Sequence, residues 1–173
     1  MSEKMPPGYD EACYAIGRLT IVWAGLEEVL FGVLHYLYHE RGGDKLLPEI
    51  PEALSRRVRF LKTCSTSLDL LDMQRQRGLA LADQITALSD RRHWCIHGVV
   101  TNALDRQLGD ILEFRRIHRK THTSEQEKMT LHDLSEACID IEVLTMNLFF
   151  FKRFWLEGRS YDEIDEMLSK IRR

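Results

Sequence analysis

Apolar positions recur at helical spacing along most of the chain. Ile16, Leu19, Trp23, Leu26, Leu30, Val33/Leu34 and Leu37 follow the three-and-four spacing of one helix face. A helix is expected from about Glu11 to Glu40, with Asp10 ahead of it as a cap and Arg41-Gly42-Gly43 as its stop. Pro51 suits the first turn of a second helix carrying Leu54, Val58, Leu61 and Leu68, bent or broken at Ser65-Thr66-Ser67. After Gly78, the positions Leu81, Ile85, Leu88 and Cys95 mark a third helix from about Leu79 to His97, ended by Gly98. The period then changes. Val99-Val100-Thr101 and Ile111 to Arg115 are β-like and flank a turn near Asp105 to Gly109, so a small β-hairpin is expected over about 99–120, followed by a polar loop over 121–129. Thr130 with Asp133 is a capping signal for a helix over about 131–157, in which Leu134, Ile141, Leu148 and Trp155 repeat every seven residues. Ser160 with Glu163 opens a short last helix over about 161–171. The expected fold class is all-α: a four- to five-helix bundle with a small inserted β-hairpin. Residues 1–9 are expected to be a flexible lead-in, because Pro6, Pro7 and Gly8 discourage order, and residues 10–173 one helical domain.

Composition narrows the function classes. The 173 residues suffice for one real core. A formal charge of −3, from 24 basic and 27 acidic residues, excludes a generally basic nucleic-acid binder and leaves room for a local basic patch. No stretch of about 18 apolar residues runs unbroken, so no membrane span is expected. The first residues lack an apolar signal core, which makes the cytoplasm the expected compartment. Cys13, Cys64, Cys95 and Cys138 lie far apart in apolar contexts, as reduced and mostly buried thiols would.

The segment Arg91-Arg92-His93-Trp94-Cys95-Ile96-His97-Gly98 concentrates two arginines and two histidines at a helix end. Arg92 falls on the apolar stripe, seven after Ile85, so it faces either a carboxylate or a cleft, because a buried unpaired guanidinium is costly. His93 and His97 share a face at i,i+4, whereas Arg92 and His97 stand about 140° apart on an ideal helix. Glu27 lies on the stripe of the first helix and wants a cationic partner, for which Arg92 is the candidate. Arg115, Arg116, Arg119 and Lys120 put four basic residues on or beside the hairpin, suited to gripping a phosphate backbone. Arg56, Arg57, Arg59 and Lys62 make a second basic face on the second helix. The pairs His35/His39, His93/His97 and His118/His122 have a spacing zinc accepts on a helix, but no HExxH motif and no matching carboxylate accompanies them. No metal and no cofactor is therefore expected, with a metal-binding bundle kept as the least favoured reading. The run Leu148-Phe149-Phe150-Phe151 covers more than one helix face, as a central or dimer-forming helix would.

The sequence Arg92-His93-Trp94-Cys95-Ile96-His97-Gly98 resembles the Arg-polar-x-x-x-His signature, often followed by Gly, of HEPN domains, helical bundles named for higher eukaryotes and prokaryotes nucleotide-binding. Trp23-Ala24-Gly25-Leu26-Glu27 is similar to a first-helix pattern of that family. A hairpin after His-Gly, then a helix opened by Thr130-Leu131-His132-Asp133-Leu134, is similar to several bacterial members. The resemblance covers roughly residues 10–157. It implies a metal-independent endoribonuclease, a toxin or defence effector, leaving a 2′,3′-cyclic phosphate. Under it, His97 acts as general acid/base, Arg92 holds the phosphate, His93 orients or hydrogen-bonds, and Glu27 supports. It also implies RNA as partner, an antitoxin or nucleotidyltransferase-like protein as a second partner, and a homodimer whose two motifs line one cleft. His93 departs from the Asn frequent in the family, and Trp94 is bulky. A non-catalytic HEPN-like module that binds nucleotide, RNA or a partner protein is the alternative.

Overall fold

The computed structural model describes residues 9–103, 111–117, 123–160 and 163. Among them are four α-helices: α1 (Tyr9–Glu40), α2 (Leu54–Ser67), α3 (Asp72–His97) and α4 (Leu131–Phe150). Three strands, β1 (Val99–Ala103), β2 (Ile111–Ile117) and β3 (Ser124–Thr130), lie between α3 and α4. None of the described helices is long and apolar enough to cross a membrane. The chain divides into two compact units, one of residues 1–24 and 87–142, the other of residues 25–86 and 143–173. Helices α1, α3 and α4 each contribute residues to both.

The first unit is a sheet with three helical segments. The sheet is antiparallel in the order β1-β2-β3, with a register irregularity between Val100 and Asn102. Alternation along β2 buries Leu112 and Phe114, and Leu19, Trp23, Cys95, Leu134, Cys138 and Ile141 are buried with them in the unit. The expected polar loop over 121–129 is corrected: Ser124–Thr130 forms a third strand. Its sequence, SEQEKMT, offers one buried apolar residue, Met129, so no hydrophobic period announces it. Cross-strand partners announce it instead. Glu113 faces Lys128 at 2.6 Å and Arg116 faces Glu125 at 2.9 Å, each pair in register. The expected turn near Asp105 to Gly109 lies outside the described residues.

The second unit packs helical segments alone, burying Leu26, Leu30, Val33, Leu34, Leu37, Phe60, Leu61, Ile85, Leu148 and Phe151. Three boundaries differ from expectation. Tyr9 and Asp10 lie inside the first turn of α1, where the carboxylate suits the positive helix end. Helix α2 begins at Leu54 rather than Pro51: Ala53 is extended, with ψ 133°, and the Pro51 carbonyl accepts a hydrogen bond from Arg57 Nε at 3.0 Å. Helix α3 begins at Asp72 and runs through Gly78, which stands where a Cβ would collide with the Ser65 hydroxyl. Gly78 marks a close approach, not a break. Helix α1 stops as expected, with Gly42 in the left-handed region at φ 85°.

Beyond Phe150 the chain continues as a π-helical segment, Phe151–Leu156. Glu157 N donates to Lys152 O, and the wider turn carries burial from Phe151 to Leu156, five residues on. The sevenfold period therefore fails at its last member, Trp155, which is half-buried. The box of Ser160 and Glu163 forms as expected, with Ser160 N donating to Glu163 Oε2 at 2.9 Å. The last helix expected over about 161–171 lies outside the described residues apart from Glu163.

Candidate functional site

The site is built on the last two turns of α3, within the first unit. An amphipathic helix ends there because Gly98 is the one residue that fits: a Cβ would collide with Trp94 O and press on the Phe114 side chain. Gly98 N donates to Trp94 O at 2.8 Å, and the chain passes directly into β1. Arg91, His93 and His97 are exposed on this helix end, while Arg92 and Trp94 are half-buried and Cys95 is buried.

His93 and His97 stand with ring centroids 4.7 Å apart. The Arg92 guanidinium lies 5.9 Å over the Trp23 ring of α1. From the sheet, Arg116 lies 4.6 Å over the Trp94 ring and is ion-paired with Glu125. The structure thus brings Arg92, His93, His97 and Arg116 into one neighbourhood. The electrostatics agree. Burial of the His93 imidazole is the largest influence on it, followed by the positive fields of Arg116, His97 and Arg92, and together they lower its pKa below the ordinary histidine value against the opposing pull of Asp90.

The remaining basic residues named on the hairpin do not all join it. Arg115 is exposed, on the opposite side of β2 from Arg116, and its Nε donates to Ser124 Oγ at 2.8 Å. Arg119 and Lys120, with His118 and His122, lie outside the described residues. Glu27 belongs to the second unit, where its carboxylate meets Arg57 at 3.8 Å, and Arg57 in turn lies over the Phe31 ring. The sequence reading missed the role of Trp94, treated there only as a bulky departure. It also missed how Arg116 differs from its neighbours. The signal was present: Arg116 follows Leu112 and Phe114 in steps of two, so β-alternation aims it at the helix side while Arg115 points away.

The four cysteines are free. Burial pushes the thiols of Cys64 and Cys95 up to about 12, so both are protonated and inert at neutral pH. Among the described residues no three His, Cys, Asp or Glu side chains are gathered where they could hold a metal ion. Comparison with protein-family models, with curated proteins and with solved structures returns no match for this chain.

Proposed function

We propose that the chain is a metal-independent endoribonuclease of HEPN type, acting on single-stranded or looped RNA. The observation that carries this reading is the pair of exposed imidazoles on the last turns of α3, flanked by the Arg92 and Arg116 guanidiniums. In the reaction the RNA 2′-oxygen attacks the adjacent phosphorus and loses its proton. The bond to the 5′-oxygen breaks and that oxygen gains a proton, leaving a 2′,3′-cyclic phosphate and a 5′-hydroxyl. Guanidiniums suit the phosphate because they donate two parallel hydrogen bonds and offset charge developing on the equatorial oxygens.

Attacking and leaving oxygens lie on opposite sides of phosphorus. Two tilted imidazoles with centroids 4.7 Å apart share one helix face, so they do not divide the acid and base roles between them. His97 moves the proton. His93, whose neutral form its surroundings favour, hydrogen-bonds. The opposite face is supplied by the same motif of a second copy, in a homodimer. An antitoxin or nucleotidyltransferase-like protein would be the partner that restrains it.

The test is incubation of the purified protein with single-stranded RNA in EDTA, beside His97→Ala and a DNA of the same sequence. Cyclic-phosphate ends from RNA, none from DNA, and loss of about 10²–10⁴ in rate with His97→Ala are expected. Activity that survives His97→Ala but vanishes in EDTA overturns the reading. Tight RNA binding without cleavage by the wild type selects the non-catalytic module instead.

A further inference from the structure

The second unit holds a cavity of about 330 Å³ between α2 and the loop that follows α1. Three contacts fix that loop. Gly43 packs against the last turn of α1, where a Cβ would come within 2.9 Å of Leu37 O. The Tyr38 hydroxyl donates to Pro48 O at 2.7 Å, and Arg57 Nε donates to Pro51 O at 3.0 Å. The cavity is therefore formed before any ligand arrives, which lowers the entropic cost of binding. One wall is aliphatic, made by Leu46, Leu47, Pro48 and Pro51, with Leu47 exposed. The other wall is α2, carrying Arg56 and Arg59.

These two arginines differ from the other cations of α2. Arg57 meets Glu27, and Lys62 meets Asp83 at 2.6 Å. Among the described residues neither Arg56 nor Arg59 forms an ion pair, although Glu49 lines the same cavity. Two exposed guanidiniums against one carboxylate leave a positive excess facing an aliphatic wall. At i,i+3 their side chains emerge about 5–6 Å apart. Alternate residues of an extended peptide repeat at about 6.6 Å and point to the same side, while the residue between points the other way. An acid–aliphatic–acid segment thus meets both walls at once. A nucleic acid is a poorer fit, because the one ring lining the cavity, Phe60, is 1% exposed and offers no face on which a base can stack.

We propose that this cavity docks an acidic, aliphatic segment of a partner protein, its carboxylates on Arg56 and Arg59 and its Leu, Ile or Met side chain on Leu46, Leu47 and the two prolines. The site is made of second-unit residues alone and does not depend on ribonuclease activity.

The test measures fluorescence anisotropy of a labelled Glu-Leu-Glu-Leu-Glu peptide against the full chain, beside Gln-Leu-Gln-Leu-Gln and Glu-Ser-Glu-Ser-Glu peptides. Saturable binding of the first is expected, weakened at least about tenfold in either control peptide and in the double variant Arg56→Glu/Arg59→Glu. Leu47→Asp is expected to weaken it as well. The control peptides need no variant, so the outcome does not hinge on refolding. Three results overturn the proposal: no saturable binding of the acidic peptide, equal binding of all three peptides, or binding unchanged in the double variant. Loss of oligouridylate binding in that variant, with no peptide binding by the wild type, reassigns the face to nucleic acid.

Discussion

His93 shows how much a neighbourhood changes a residue that spacing alone leaves ordinary. Burial first, then Arg116, His97 and Arg92, favour its neutral form. Because the native value lies below the unfolded one, the folded chain binds fewer protons than the unfolded chain as pH falls through about 6.5. His93 therefore withdraws stability on acidification and not on alkalinisation. Titration followed by NMR is expected to place the His93 midpoint below that of an ordinary histidine. Arg116→Gln should raise it part of the way, since burial, the larger cause, remains. An unmoved midpoint removes Arg116 from the site. Gly78 is the second residue whose meaning lies in its surroundings. Alanine at a helix interior is favoured over glycine by about 1 kcal/mol. At this position the added methyl meets the buried Ser65, whose hydroxyl donates to Leu61 O at 2.8 Å. Overpacking of this kind costs about 1–3 kcal/mol, so Gly78→Ala is expected to lower the melting temperature. A stabilised variant would show that Ser65 gives way.

At the scale of elements, the start of α4 is fixed by a reciprocal cap. Asp133 N donates to Thr130 Oγ1 at 3.0 Å, while Thr130 N and its hydroxyl donate to Asp133 Oδ2 at 2.7 and 2.8 Å. The backbone hydrogen bond from Thr130, then its hydroxyl, holds the Asp133 carboxyl below the ordinary carboxylate range. Its stabilising effect is present above the unfolded pKa and is lost as pH falls through the lower native one. Thr130→Ala is expected to cost about 1 kcal/mol in urea unfolding at neutral pH, and less in acid. An equal cost at both values would separate the cap from the carboxylate's charge. This cap was legible in the sequence, as were the apolar faces of α1 and α4, because period and capping chemistry are local. Strand β3 was not, since charge pairing across a sheet reads as a polar loop along the chain. The start of α3 was hidden by Gly78, whose reason is a neighbour distant in sequence. The motif on α3 was legible, and so was the side of β2 on which Arg116 falls, but its arrival over Trp94 depended on strand pairing between residues distant in sequence.

For the whole molecule, the decisive question is whether one chain suffices. Under the proposed chemistry His93 and His97, side by side on one helix face, act from one side of the phosphate, and a second motif acts from the other. The surface gives a separate reason to expect two copies. Helix α4 exposes Ile139, Val143 and Met146 at i, i+4 and i+7, and α1 exposes Tyr14 and Ile21. In the first unit Arg18 of α1 meets Glu142 of α4 at 3.4 Å, and a cavity of about 440 Å³ opens between these helices, lined by Tyr14, Leu131, Leu134 and Cys138. Apolar side chains exposed along one helix can be buried by a second copy across a twofold axis. The expectation from the run Phe149-Phe150-Phe151 is modified: Phe151 is buried and the other two are half-buried, so the exposed stripe of α4 takes over that argument. Light scattering at micromolar concentration should give twice the 20.3 kDa chain mass. Ile139→Asp/Val143→Asp should halve that mass and lower RNA cleavage with it. A fully active species of single-chain mass would sink the two-copy site while leaving each chain's own motif in place.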